Sequence, residues 1–475
     1  MNNLRLKESV KRIAVVGAGD AAKRFIKTIL DSNYKNNFSF TAIFDDNTKK
    51  IGQKIEDIEI LDSVKNITKY INIFDEIVVA IPSATKKDFN NIYDILLKTN
   101  KKILTIPSLK EILNHPESIT SVRDIQLKDL INRDEMEIDL DKINRSIDGK
   151  KILVTGGGGS IGSVIIELCL FGRAKEVICI DNSEYNVYKL EQNFSDRRLK
   201  AHVSDIKDYK MMDYFFSKYC PDIVFHAAAL KHVNIQQKNI RDCLLTNVIG
   251  TNNILQLSIK NNISNFILIS TDKAVEPSNY MGLSKRTAEI LVEFYSSQSK
   301  VKMSSVRFGN VIGSSGSVLN YFTGLIKNKK DIVVTHPEVS RFFMSIKEAC
   351  YLVLLSVENS QNNHQVFMLD MGDEILIKEI AEKLIQLNGL VVNKDIKIHY
   401  SKLKKGEKLS EKLNYEFEQR SNTEISKLIR LVSDRKIEEN RVHDFINDLS
   451  VLVYSKNIAN EKIEKFIKYS LKGLI

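Results

Sequence analysis

The chain has 475 residues, 43% of them hydrophobic and 27% charged, with a net charge of +10. That length supports two or three domains with sizeable cores, and with no apolar run of about 18 residues it is too short of hydrophobic stretches for a membrane-spanning helix. No apolar signal-peptide core precedes the first strand-like run, and no basic block alternates with aromatic residues, so the composition predicts a cytoplasmic protein that spans no membrane and binds no nucleic acid.

In chain order, the first segment reads as strand, turn and helix: "RIAVVGAGDAAKRFIKTIL", Arg12–Leu30. Further strands are expected at Phe38–Phe44, Glu76–Ile81 and Lys102–Ser108. Alternation of short apolar runs with helical periodicity is the mark of parallel α/β architecture. Residues 1–120 therefore read as a Rossmann-like domain, and a charged stretch over 121–149 as a linker ending near Asp141–Gly149. Gly17, Gly19 and Ala22 space as GxGxxA, followed by Asp45 and Asp46. Those glycines serve either tight strand–helix packing or a ligand, and spacing alone leaves both open.

The second segment opens the same way, with "KILVTGGGGSIGSVIIELCLFG". Strands are expected at Ile152–Thr155, Glu176–Asp181, Ala201–Val203, Ile223–Ala227, Asn265–Ser270 and Lys302–Arg307. Six strands divided by helices predict a doubly wound dinucleotide fold. Past Asn310 the pattern breaks into shorter elements, which suggests a substrate-binding portion over about 310–475 within a domain of 150–475, with helical Lys/Glu-rich sequence from Ser426 to the end. The five cysteines, Cys169, Cys179, Cys220, Cys243 and Cys350, form no CxxC pair. They read as buried free thiols, and no metal site is expected.

Gly156, Gly159 and Gly162 stand between a strand and a helix. Such a turn brings backbone N–H groups and a helix N-terminus to a pyrophosphate, with Ser160 and Ile161 beginning the helix. Asp181, with Asn182 beside it, follows about 20 residues later, where a carboxylate accepts from a ribose diol and repels a 2′-phosphate. The expected cofactor is NAD. Asp205 and Ile206 are placed to border the adenine, and the small residues Ala227, Ala228 and Ala229 to let the middle of the cofactor pass.

"STDKAVEPSNYMGLSKR", Ser270–Arg286, looks like the active segment of a short-chain dehydrogenase, in which a Tyr precedes a Lys by four residues. Here that position holds Met281, and Tyr280 is one residue out of register with Lys285. Asp272–Lys273, directly after a strand end, supplies an acid and a base side by side. Taken alone, the same pair also reads as an exposed salt bridge between neighbours, and Met281 as packing.

"TGGGGSIGS", "PDIVFHAAALKHV", "ISTDKAVEPSNYMGLSKR", "VRFGNVIGSSGSV", "VTHPEVSRFFMSIKEA", "VFMLDMG" and "KGEKLSEKL" together resemble the extended short-chain dehydrogenases that act on nucleotide sugars. The likeness is to bacterial UDP-N-acetylglucosamine 4,6-dehydratases of the polysaccharide-biosynthesis, CapD-like family, in the multidomain branch that carries Met in place of Tyr. "GAGDAA", "FDD" and "AIPSA" extend it to that family's N-terminal Rossmann-type domain. Large members carry membrane helices upstream, and this sequence begins at the domain itself. It departs from the pattern at Leu230 (usually Tyr), at Asn234 (usually Pro) and in "LKKGEKL", where an Arg is usual.

The resemblance implies removal of hydride from sugar carbon 4, loss of water across carbons 5 and 6, and return of hydride to carbon 6, with carbon 5 retained. It implies Asp272 as acid toward the carbon 6 hydroxyl, Lys273 as base at carbon 5, Lys285 on the nicotinamide ribose and Thr271 on the carbon 4 oxygen. Lys231, Asn310, Arg341 and Glu407 are implied as substrate contacts, Arg341 suiting phosphate because a guanidinium binds it bidentately. His232 and His336 read as hydrogen-bonding residues. A homodimer formed through helices of the NAD-binding domain is expected. The rivals are a nucleotide-sugar 4-epimerase, which needs a good base at the Tyr position, and a non-catalytic nucleotide-sugar binding protein.

Overall fold

The computed structural model describes residues 10–32, 38–82, 84–106, 123–124, 136–360, 364–435, 437–455 and 459–474. Two compact units emerge. One comprises residues 1–134, 321–334 and 377–400, and the other 135–320, 335–376 and 401–475. Compactness thus groups two segments of the 150–475 stretch with the first unit. Most of the expected linker, and Pro107–Ser108 of the expected fourth strand, lie outside the described residues.

In the first unit a seven-stranded sheet runs in the order Lys54–Ile55, Ile58–Asp62, Phe38–Phe44, Lys11–Val16, Glu76–Val79, Lys102–Thr105 and Arg123–Asp124. Helix Asp20–Leu30 buries Ala22, Phe25, Ile26 and Ile29 against it. Gly17 has φ +101°, and a Cβ there would stand 2.5 Å from Ile81 Cγ2. Asp45 Oδ2 accepts from the Ala18 N–H at 2.6 Å and faces Lys50 Nζ at 3.4 Å. Turn and acid are closed on each other, as close strand–helix packing requires.

In the second unit the sheet has nine strands: Leu199–Val203, Glu176–Asp181, Lys151–Thr155, Ile223–His226, Asn265–Ile269, Lys302–Arg307, Gln365–Leu369, Leu428–Val432 and Gln419–Asn422. The first seven are parallel, and the last two pair antiparallel. Alternate residues of each strand feed opposite faces. Leu153, Val224, Phe266 and Leu268 join one apolar cluster; Ile152, Val154, Phe225 and Ile267 join the other. Order reverses between Lys151–Thr155 and Ile223–His226, which opens a crevice at the carboxyl ends of these strands.

Two expectations need correction. The region from Ser426 is not helical throughout: Leu428–Val432 pairs with Gln365–Leu369, and helices begin only at Glu439–Tyr454 and Asn460–Leu474. Leu428 and Leu431 are buried in the core of this unit, and it is the pairing with Gln365–Leu369 that makes the run a strand. Cys220 is exposed, unlike the other four thiols.

The two terminal helices have a definite seat. Val442, Phe445, Leu449, Ile463 and Ile467 pack into one cluster with Ile240, Leu244, Tyr280 and Leu283. Arg241 Nη1 donates to the carbonyls of Val453 at 2.7 Å and Ser455 at 2.6 Å, closing the end of the first of these helices. Among the described residues, no helix is long and apolar enough to cross a membrane.

Candidate active site

The Gly-rich turn sits at the topological switch. Gly156 has φ +64°, a conformation that costs any residue with a Cβ. A Cβ there would lie 2.7 Å from the Ala228 backbone, and one at Gly162 would collide with the Gly156 carbonyl. Gly159 caps helix Ser160–Phe171 without a side-chain hydrogen bond, so no cap side chain occupies the first-turn N–H groups that an anion site uses. Ser160 Oγ accepts from the Ser315 N–H at 3.0 Å, tying that helix start to the opposite wall of the crevice.

Asp181 ends its strand, with its carboxylate held by the N–H groups of Gly158 at 3.0 Å and Ser183 at 2.9 Å. Asn182 is exposed beside it. Asp205 accepts from the Lys207 N–H at 2.9 Å, and Ile206 is buried against Gly250. Beneath the turn, buried His226 bridges Thr155 at 2.7 Å and Thr251 at 2.9 Å. Burial, with a smaller push from Lys285, lowers its pKa to about 3, so the ring is a neutral strut.

Beyond the turn lies a cavity of about 420 Å³. It brings together Thr271, Lys273, Met281, Lys285 and Asn310, and its walls include Ile161, Ala227 and Ala229. Lys231, Arg341 and Glu407 line it too. Gly156, Gly159, Ser160, Gly162, Asp181, Asn182, Asp205, Ile206 and Ala228 are not among its walls and belong to the turn and the neighbouring strand ends.

Asp272 lies directly behind the wall, fully buried. Its Oδ1 accepts from Thr271 Oγ1 at 2.8 Å and Lys273 Nζ at 2.9 Å, while Oδ2 has no hydrogen-bond partner among the described residues. Lys273 Nζ also reaches Asn310 Oδ1 at 3.4 Å. The pair is therefore not an exposed surface bridge: the Lys273 side chain is only 15% exposed.

Tyr280 and Met281 part ways at the start of helix Tyr280–Ser297. Met281 lines the cavity. The Tyr280 hydroxyl donates instead to Glu464 of the carboxyl-terminal helix. Burial, and then that partner, raise the phenol's pKa, which makes it a poor acid–base group. Lys285, one turn on, is 6% exposed. Burial lowers its pKa to about 8, against smaller opposing effects of Glu289 and Cys243.

Arg341 does not present a free guanidinium. It donates to the carbonyls of Ser340 at 2.6 Å and Leu409 at 3.0 Å, and faces Glu407 at 3.6 Å. Glu407 in turn accepts from Thr335 at 2.9 Å.

Two residues went unmarked by the sequence reading. Buried Asn247, within the π-helical turn Leu245–Gly250, accepts from the Leu230 N–H at 2.8 Å and donates to the Leu230 carbonyl at 3.0 Å. It thereby fixes the cavity wall next to Lys231. Glu411 lines the cavity while only 4% exposed. Its place in "GEKLSEKL" carried no local sign of burial.

The polysaccharide biosynthesis protein family model matches residues 152–433, more than half of the chain, and a CoA binding domain model matches residues 8–107. The chain belongs to the polysaccharide biosynthesis protein family. Among curated members, the capsular polysaccharide biosynthesis protein CapD of Staphylococcus aureus is 33% identical over 451 residues, spanning 93% of this chain and 75% of that protein. Among solved structures, Pen from Bacillus thuringiensis is 30% identical with a TM-score of 0.56, covering 64% of this chain and 99% of that one. The UDP-glucose 4-epimerase of Thermotoga maritima with UDP-glucose is 25% identical with a TM-score of 0.50, covering 56% and 90%. The family's extended short-chain dehydrogenase fold is thus shared by the second unit.

Proposed function

We propose that the chain is an NAD-dependent nucleotide-sugar 4,6-dehydratase acting on UDP-N-acetylglucosamine, with carbon 5 configuration retained. The observation that carries this reading is the Thr271–Asp272–Lys273 cluster at a cavity where Met281 holds the Tyr position and Tyr280 is bound elsewhere. NAD, once bound, supplies the hydride acceptor for carbon 4 and the donor for carbon 6. The uncapped helix start at Gly159, the close approach at Gly156 and the fixed carboxylate of Asp181 fit its pyrophosphate and ribose.

The chain's own groups do the rest. Lys285 holds the nicotinamide ribose and lowers the cost of charge on neighbouring oxygens. Thr271, whose hydroxyl is already held by Asp272, hydrogen-bonds the carbon 4 oxygen and relays its proton to water. Lys273, freed of a proton along its hydrogen bond to Asp272, removes the carbon 5 proton made acidic by the neighbouring ketone. Asp272 then bears a proton that can serve the departing hydroxyl. Asn310 orients Lys273, and Lys231, Arg341 and Glu407 frame the nucleotide end. Arg341 exchanges one carbonyl partner for phosphate when substrate binds. Any homodimer forms with the terminal helices already covering Ile240 and Leu244.

Incubation of the purified chain with UDP-N-acetylglucosamine, followed by mass spectrometry, tests the reading. Loss of one water from the sugar is expected, and Lys273→Met stops it while cofactor remains bound. The 4-epimerase reading has a solved structural relative on its side. It requires a product of unchanged mass, and a base at Met281 that a thioether cannot supply.

A further inference from the structure

Two carboxyl groups flank Lys273, and they differ in access. Asp272 is fully buried behind the cavity wall, with Oδ1 engaged by Thr271 and Lys273. Glu411 is itself part of the wall. Although only 4% exposed, its Oε2 has no hydrogen-bond donor among the described residues, of which the closest cation is Lys408 Nζ at 3.6 Å. Lys408 is committed elsewhere, donating to the Val275 carbonyl at 3.0 Å.

A buried carboxylate normally collects two or three donors, because stripping it of water without replacements is expensive. Glu411 lacks them. We propose that Glu411 is a second acid of the site, entering the reaction protonated and giving that proton to the leaving carbon 6 hydroxyl. This deepens the dehydratase reading and rests on it.

The charges facing Glu411 are consistent with a retained proton. Burial raises its pKa most. Asp272 also raises it, and Lys273, Lys408 and Arg341 lower it, with the net direction upward. The step balances. The carbon 5–hydrogen bond breaks toward Lys273 Nζ, and its electron pair forms the carbon 5–carbon 6 double bond. As the carbon 6–oxygen bond breaks, the Glu411 proton converts the departing oxygen to water. Glu411 and Lys273 are left as an ion pair across the cavity. Lys273 returns its proton to carbon 5 as hydride arrives at carbon 6, and Glu411 regains from water the equivalent of the proton that carbon 4 oxidation released there, so a turnover consumes no net proton. Asp272 remains the internal partner that takes the Lys273 proton, a task for which a hidden carboxylate is suited.

Glu411→Gln keeps size and removes the exchangeable proton. The full chain with bound NAD is mixed with UDP-N-acetylglucosamine, and cofactor absorbance is followed beside product mass. The variant should still oxidise carbon 4, seen as reduced cofactor that accumulates, while water loss falls by about 100-fold or more. Wild-type turnover should decline on the alkaline side as Glu411 loses its proton, and the Gln variant should lack that decline. Glu411→Asp, which keeps the acid at a longer reach, should recover part of the rate. Equal cofactor content and melting temperature establish that the variants are folded. Water loss near the wild-type rate in the Gln variant, with the alkaline decline intact, would overturn the assignment and return the acid role to Asp272 alone. Absence of any dehydrated product from the wild type would instead overturn the dehydratase reading, and this one with it.

Discussion

Arg307 offers a perturbation whose size can be worked from the structure. It is fully buried at the end of strand Lys302–Arg307, with Nε and Nη2 on Glu289 at 2.7 and 2.8 Å and Nη1 on Glu418 at 2.7 Å. Glu289 also accepts from Ser270 at 2.6 Å and faces Arg286 at 3.1 Å. Arg307→Met preserves bulk and leaves two buried carboxylates short of their cation. Breaking such a pair costs about 3–5 kcal/mol. Arg286 still touches Glu289, which puts the expectation near 3 kcal/mol, or a melting midpoint lower by roughly 5 °C.

The pH dependence carries a sign of its own. Arg307, against the opposing effect of burial, holds Glu289 at about 2, below its ordinary value of 4.5. A depressed carboxyl contributes stability that is present above 4.5 and lost as pH falls toward about 2. In the Met variant the buried carboxyls gain by taking up protons, so its deficit at neutral pH should shrink at pH of about 4 to 5. Urea midpoints at the two pH values measure it. A variant as stable as wild type at neutral pH, or a deficit unchanged on acidification, would refute the reasoning. Because Ser270 adjoins Thr271, turnover should fall with stability, and by more than cofactor content does.

Three further outcomes are expected. Gly156→Ala meets both the positive φ and the Ala228 backbone at 2.7 Å, so nucleotide released from the purified variant should drop at least about tenfold, equal to about 1.4 kcal/mol of lost affinity; full NAD content would contradict the cradle. Tyr280→Phe removes only the donor to Glu464. It should cost about 1 kcal/mol of stability and leave turnover nearly unchanged, whereas a loss as deep as that of Lys273→Met would bring Tyr280 back to the substrate. Burial lowers the pKa of Lys285 to about 8. Titrations with NAD should therefore show affinity falling as pH rises past that value and the ammonium is lost, and Lys285→Arg should flatten the dependence.

Strand runs bounded by charge or glycine were legible. Phe38–Phe44, Glu176–Asp181 and Lys302–Arg307 are strands over the bounds that the sequence suggests, because Val, Ile and Phe between polar flanks have few other ways to be buried. The three strands that widen the second sheet were not. Gln419–Asn422 reads "QRSN", with no apolar signal at all, and it is a strand only because Leu428–Val432 pairs with it. Within the site, neighbours in sequence were brought together as expected: Thr271, Asp272 and Lys273 share one hydrogen-bonded cluster. What escaped was convergence from afar. Asn247 reads as an ordinary helix residue until Leu230 lies against it, and Glu411 as one of many surface acids until it is seen beside Lys273.

The fate of Tyr280 is a case of the same kind, and it bears on reaction type. From sequence, one residue of helical slip would return its phenol to the site. Its bond to Glu464 opposes that slip, and so does the close fit at Gly282, where even a Cβ would strike the Lys273 carbonyl. The helix start is thus locked with a thioether toward the cavity. An epimerase reverses its own hydride step and needs one proton carrier at the carbon 4 oxygen. An elimination needs a base and an acid further along the sugar. On the proposed reading, a site without a phenol but with Asp272 bound to Lys273, and Glu411 lining the same cavity, has the protons that the second reaction consumes.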